Sequence, residues 1–407
     1  MKFKKMNLCR FWLRLGGLGL LFSCCSLWAQ LPAPALIGYW HNWQSARSGD
    51  IPLDNIDARY NVIIIAFAMP ADTHMTIQFT PFGMNSKDFV HTMQHLQKQG
   101  KRILLSIGGA TCRIDITDEA KKEQFVTSLL QILQRYPFDG VDIDVEHGAS
   151  IVNTGGTITA PANPAQKLLI AAIGEVMQGY RAHYGKKMLL TMAPETAYVQ
   201  GGQSKFSQIW GAYLPLLNAL RDSLDMVQVQ LYNSGSMYDI NRIERFQGTS
   251  EFVVAMTEAL IQGMSTKGGF FKGLPACKVA IGLPACRSAA GGGYVDTATL
   301  AACLHYLLGR GVQVGNYRLK QASGYPDLGG LMLWSLNWDA NRNCDGYYQM
   351  AEMFERLYNK EMAQMAEVKA PQATESDTLK QSAVQSQTVT NKNLRSKKPN
   401  RAKRKWR

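Results

Sequence analysis

Four carboxylates crowd the stretch Phe138–Gly148, FDGVDIDVEHG: Asp139, Asp142, Asp144 and Glu146, set among Val, Ile and Phe. Alternate residues of a strand point the same way. Asp142, Asp144 and Glu146 therefore share one face, and Val141, Ile143 and Val145 share the other. Two residues climb ~6.6 Å, which predicts Glu146 ~13 Å above Asp142. Burying such a line of acids is costly without a task. Like charges this close push their pKa values apart and leave at least one group protonated near neutrality. A protonated carboxyl is what a glycosidic oxygen needs in order to leave. Glu146, the longest and nearest the end of the strand, is the expected donor. Asp139 has the opposite parity and opens the strand, so a turn or capping role is expected. Two alternatives are a Ca²⁺ site and a solvated acidic face. Calcium loops take their oxygens from turns with Gly and Asn rather than from β-branched runs.

The acids need a frame that opens one strand face to a cavity. Short apolar runs read as strands over 35–40, 61–69, 102–109, 140–146, 188–194, 226–232, 278–285 and 330–336. Helical patterns lie between several of them. One puts Phe89, Met93 and Leu96 on a stripe ending at Gly100; another repeats Phe125, Leu129 and Leu133. A third opens with Asn163 as N-cap and Pro164 at the first helical position. Eight strands with crossovers predict an α/β fold, a (β/α)8 TIM barrel. A doubly wound open sheet is the alternative, weakened because no Gly-rich phosphate loop follows the first strand. In a barrel Asp142 lies deep and Glu146 emerges at the C-terminal rim, where barrel enzymes work.

The 407 residues carry a formal charge of +13, unevenly spread. Residues 1–29 hold five basic groups and no acid, and 366–407 hold eleven basic groups against three acids, so 30–365 is about neutral. The body thus gives no hint of a polyanionic substrate, and no specific nucleic-acid partner is expected. The basic start, the apolar run LGGLGLLF and the small residues after it read as a signal peptide over 1–29, which implies a secreted or extracytoplasmic protein. LFSC also allows a lipid anchor at Cys24. Beyond this leader lie Cys112, Cys277, Cys286, Cys303 and Cys344, an odd number that allows a bridge but leaves one thiol over. Neither spacing nor a His-rich run suggests zinc, and no metal or cofactor is called for. Residues 366–407 are rich in Ser, Thr and Gln, then in Lys and Arg, and are expected to be a disordered basic tail. Such a tail would bind anionic envelope or glycan surfaces through counterion release.

The run Asp139–Glu146 is D-x-x-D-x-D-x-E and resembles the signature of family-18 glycoside hydrolases. Further stretches resemble the same family in order: SIGG with Ser106, Gly108 and Gly109, TMAPE at 191–195, QLYN at 230–233 and LMLWSLNWD at 331–339. GYWHNW at 38–43 and GLPACRSAAGGGYV at 282–295 resemble the bacterial single-domain chitinase branch, and the likeness spans about 34–360. The resemblance implies a barrel without the α+β insertion that deep-cleft relatives carry between strands 7 and 8. It implies Glu146 as general acid and then base, Asp144 as holder of the substrate acetamide, and Asp142 as its deeper proton-sharing partner. Tyr232 would bind the acetamide carbonyl, and Trp334 would floor the distorted sugar. Met192, Gln230 and Asn233 would line that subsite, with Tyr39, Phe67 and Ser106 beside the Asp pair. Trp40, Trp43, Trp210 and Trp338 could extend the cleft or simply pack, and His147 could support the acid. The implied activity is an endochitinase-like, secreted, monomeric hydrolase of β-1,4-linked N-acetylglucosamine, substrate-assisted and retaining. The alternatives are an endo-β-N-acetylglucosaminidase and a non-hydrolytic chitin-binding lectin.

Overall fold

The computed structural model describes residues 30–358. The leader with Cys24 and the tail 366–407 lie outside these residues. Eight parallel strands form the centre: β1 (Ala35–His41), β2 (Val62–Pro70), β3 (Arg102–Gly108), β4 (Gly140–Asp144), β5 (Leu189–Met192), β6 (Met226–Gln230), β7 (Val279–Pro284) and β8 (Gly330–Trp334). Each pairs with its sequence neighbour, and β1 pairs with both β2 and β8, so the sheet closes into a (β/α)8 barrel. Closure removes every edge from the central sheet.

The strands carry apolar residues on both faces, and alternation sorts them into two layers. Ile37, Tyr39, Ile64, Leu104, Leu189 and Met332 fill the interior. Ile63, Ile65, Ile103, Val141, Ile143 and Leu190 pack outward against the helices. Helix α1 (Ser86–Lys98) buries Phe89, Met93 and Leu96 and is capped by Asn85. Helix α2 (Glu119–Arg135) buries Phe125, Leu129 and Leu133 and is capped by Asp118. Helix α3 (Pro164–Tyr184) starts with the Asn163 side chain accepting from the Ala165 N–H and stops at left-handed Gly185. Each fully buried Leu or Phe in these stripes contributes roughly 1.5–3 kcal/mol, so helix–barrel packing rather than helix propensity holds the outer ring.

Residues 285–329 between β7 and β8 hold a 3-10 turn, Arg287–Ala289, and one helix, Thr297–Leu307, with no strand. The α+β insertion is therefore absent from that connection. Small sheets occur elsewhere. Hairpins pair Ser236–Tyr238 with Glu244–Phe246 and Gly263–Thr266 with Gly269–Lys272, and Ile77–Gln78 runs antiparallel to the end of β2. Their runs are too short to carry a period, which is why the sequence does not announce them. Cys286 and Cys344 form a disulfide between the loops after β7 and β8; Cys112 and Cys303 are buried thiols and Cys277 is exposed.

Candidate active site

β4 delivers the acids, and it ends at Asp144 rather than at the expected Glu146. Side chains and a neighbouring loop replace the ladder there. The Asp144 carbonyl accepts from the Gly109 N–H at 2.7 Å, and the Tyr213 hydroxyl bonds the Val145 N–H and carbonyl at 2.8 and 2.9 Å. Tyr198 donates to the Glu146 carbonyl. The chain thus leaves the sheet two residues early and offers Glu146 to the cleft from a clamped turn. Gly108 and Gly109 make this approach possible. Both have positive φ, 128° and 88°; a Cβ on Gly108 would fall 1.9 Å from the Asp144 carbonyl, and one on Gly109 would fall 2.7 Å from the Phe67 ring.

Asp142 is fully buried in the barrel. Its Oδ2 accepts from the Tyr39 and Ser106 hydroxyls, each at 2.7 Å. Its Oδ1 accepts from the Thr191 hydroxyl at 2.6 Å and the Gln228 amide at 3.2 Å. Burial raises its pKa and the hydroxyl donors oppose that rise. Four neutral donors thus hold its two oxygens. Asp144 is bonded higher up instead. Gln230 Nε2 donates to Asp144 Oδ1 at 2.9 Å, to Glu146 Oε1 at 3.2 Å and to the Ala193 carbonyl at 3.0 Å. Burial, then the Glu146 and Asp142 charges, push Asp144 well above the usual carboxylate range. Glu146 is also raised, mainly by burial, with the Gln230 bond acting the other way.

A cleft of about 640 Å³ opens over these groups. Asp144, Glu146, Glu195, Gln230, Tyr232 and Asn233 line it, and Trp43, Phe67 and Trp334 line it as well. The aromatic groups form one continuous wall: His41 stacks on Trp43 at 4.3 Å, Trp43 on Phe67 at 6.0 Å and Phe67 on Trp334 at 6.0 Å between ring centroids. Tyr39 meets Trp334 edge-on at 5.6 Å, below that wall. Tyr232 is 5% exposed, and burial followed by the Asp144 and Glu146 charges pushes its hydroxyl well above 10, so it is a neutral donor at any working pH. Asn233, at φ 53°, accepts from the Gly291 N–H through Oδ1 and donates its own N–H to the Gly292 carbonyl, tying the loop after β7 to the cleft.

Several expectations need correction. Met192 does not line the cleft. It is fully buried in the outer apolar layer, because Thr191 turns inward to Asp142 and alternation then sends its neighbour out. Of the four Trp candidates only Trp43 lines the cleft. Trp40 is buried, its indole N–H on the Ile51 carbonyl, Trp338 is buried in the outer layer, and Trp210 packs against Gly201. Asp139 is structural, as expected: Oδ2 accepts from the Gln97 amide and the Ile103 N–H at the base of the barrel. Sequence reasoning passed over Thr191, Gln228, Glu195, Tyr198 and Tyr213. Thr191 and Glu195 lie in the TMAPE run, and Gln228 lies two residues before Gln230 and so on the same inward face; Tyr198 and Tyr213 carried no local signal.

Two neighbouring carboxyls whose pKa values burial raises, at the C-terminal mouth of a barrel and across from an aromatic wall, make a site for general-acid chemistry on a ring-shaped substrate. The chain belongs to the glycosyl hydrolases family 18, whose model matches residues 35–293. It is 43% identical over 314 residues to Chitinase Chi52 of Paenibacillus xylanexedens and 43% over 315 residues to Chitinase D of Niallia circulans. Each match covers 76% of this chain but 59% of the relative, so the chain spans little more than half the length of these proteins. The solved structure of a family GH18 chitinase from Chromobacterium violaceum superposes with a TM-score of 0.71 at 34% identity, covering 81% of this chain and 84% of that one.

Proposed function

We propose that the protein is an exported chitinase that cleaves β-1,4 bonds between N-acetylglucosamine units with retention of configuration. One observation carries the reading. Asp144 and Glu146 are both bonded to Gln230 on one side of the cleft, while Trp43, Phe67 and Trp334 form the aromatic wall. In this reading, which follows the family resemblance, the attacking oxygen comes from the substrate's own 2-acetamido group and no enzyme carboxylate serves as nucleophile. Tyr232 donates to the acetamide carbonyl and orients it. Glu146 gives its proton to the leaving oxygen as the acetamide oxygen bonds to the anomeric carbon. Asp144 accepts from the acetamide N–H and stabilises the oxazolinium cation. Glu146, now a base, takes a proton from water, which opens the ring on the same face the leaving group left. The Trp334 ring packs on the apolar face of the sugar.

Export rests on the basic, apolar leader and is compatible with the Cys286–Cys344 bridge. In this reading the chain works as a monomer, and its basic tail attaches it to anionic surfaces. The test of the mechanism is paired: NMR of products from acetylated oligomers, and turnover of fully deacetylated chitosan. Initial β-anomer and an inert chitosan are expected. Initial α-anomer, or chitosan cleaved as fast as chitin, would remove the substrate-assisted step.

A further inference from the structure

The groups that act on the acetamide and the leaving oxygen occupy only part of the cleft. Asn42, Met69, Gln78 and Thr80 line it as well, and the chemistry above uses none of them. Met69 lies two residues beyond Phe67 on β2, ~6.6 Å further along the strand, and both line the cleft. The short strand Ile77–Gln78 runs antiparallel to the end of β2 and sets Gln78 opposite Met69. Alternation through Ile77–Thr80 buries Ile77 and Phe79 and leaves Gln78 and Thr80 exposed. Asn42, just past β1, fastens this edge: its Nδ2 donates to the Thr80 carbonyl at 2.8 Å, and its Oδ1 accepts from the Phe82 N–H at 2.7 Å. We infer that this edge is a distal sugar subsite. Gln78 and Thr80 hydrogen-bond an N-acetylglucosamine unit beyond the one that reacts, and Met69 packs against it, so longer oligomers are the better substrates. This rests on the reading of the substrate as a chitin chain.

A sugar ring presents apolar C–H faces and a rim of polar groups. A site for it therefore joins an apolar surface to a few convergent hydrogen-bonding groups. The edge has both. Met69 is 42% exposed and continues the aromatic wall from Phe67. The Gln78 amide and the Thr80 hydroxyl make no hydrogen bond among the described residues, so both are free for a ligand. Each can donate and accept, which suits the hydroxyls and the acetamide of one unit. No Lys or Arg lines the cleft, a lining that matches an uncharged polymer. Because Asn42 holds the Thr80–Phe82 turn before substrate arrives, less ordering is needed on binding. Tyr232, Asp144 and Trp334 serve the unit that reacts whatever the length of the chain. Bonds made at Gln78 and Thr80 are open only to a chain long enough to reach them.

The experiment is kcat/KM on the trimer and the hexamer of N-acetylglucosamine, for wild type and for the double variant Gln78→Ala, Thr80→Val. The ratio of hexamer to trimer should fall ~5-fold or more in the variant, the loss expected from two hydrogen bonds. A merely structural defect would lower both values together and keep the ratio. An unchanged ratio, whether both values hold or both fall, overturns the inference. If the double variant does not fold, Gln78→Ala alone is held to a fall of ~2-fold or more, the loss expected from one bond. A wild type that cleaves neither oligomer overturns the hydrolytic reading instead. Calorimetric titration of both oligomers then decides the subsite, which is refuted if the double variant binds hexamer as tightly as wild type does.

Discussion

Asp144 and Glu146 are bonded to the same donor, Gln230 Nε2, at 2.9 and 3.2 Å. That amide belongs to β6, two strands away from β4, and it fixes the two carboxyls relative to each other before substrate arrives. Preorganisation of this kind avoids reorganisation during the reaction.

Glu146→Gln keeps the shape and the Gln230 contact but removes the acid. Hydrolysis of chitin oligomers should fall by at least ~10³-fold while oligomer affinity stays within a few-fold of wild type. Calorimetric titration beside a product assay measures both, and activity within tenfold of wild type would refute the assignment.

Asp144→Asn and Tyr232→Phe each remove a group that acts on the acetamide in the transition state. Each should lower kcat ~10²-fold or more with a much smaller change in KM. Steady-state kinetics on one soluble oligomer separates the two constants. A loss confined to KM would make the residue a ground-state binder.

The His41 ring stacks on Trp43, with Nδ1 on the Ser48 hydroxyl and Nε2 buried without a partner. Burial lowers its pKa from 6.5 to about 4. The unfolded chain therefore takes up this proton first as pH falls. The stabilisation is full above 6.5 and is lost progressively down to about 4. His41→Phe should flatten the decline of Tm across that window. An equally steep decline in the variant would show that other groups govern it.

Cys286–Cys344 closes a loop with a sequence separation of 58 and joins the loop that holds Asn233 to the segment after β8. The double variant Cys286→Ser, Cys344→Ser should lose ~2–4 kcal/mol of stability, read by denaturant unfolding. If the wild type under reducing conditions and the variant unfold at the same denaturant concentration as the oxidised wild type, the bridge contributes nothing.

Truncation after Ala366 should leave turnover of short soluble oligomers unchanged and weaken retention on anionic surfaces at low salt. Near 0.5 M salt, where the Debye length is ~4 Å, the difference should vanish. Salt-independent retention by the full chain would mean that the tail is recognised specifically.

The local pattern of the chain determined a good deal by itself. Each of the eight barrel strands starts within one residue of its expected position, because β-branched runs bounded by turns are a property of the segment. The stripes Phe89–Met93–Leu96 and Phe125–Leu129–Leu133 are the buried faces of α1 and α2 for the same reason. The acids of β4 announced the site because three carboxylates of one parity on an apolar strand have few other uses. Tertiary structure decided the rest. Periodicity does not say where a ladder gives way, and β4 ends at Asp144 because Gly109 and Tyr213 take over its hydrogen bonds. Nor does a motif say which of two neighbours faces inward: Thr191 reaches Asp142, and Met192 is sent outward. Trp43 reaches the cleft while Trp40 and Trp338 pack away from it, and Glu195 comes beside Glu146 from another strand. These outcomes depend on contacts between residues far apart in the chain. Closing the barrel creates those contacts, and no single segment encodes them.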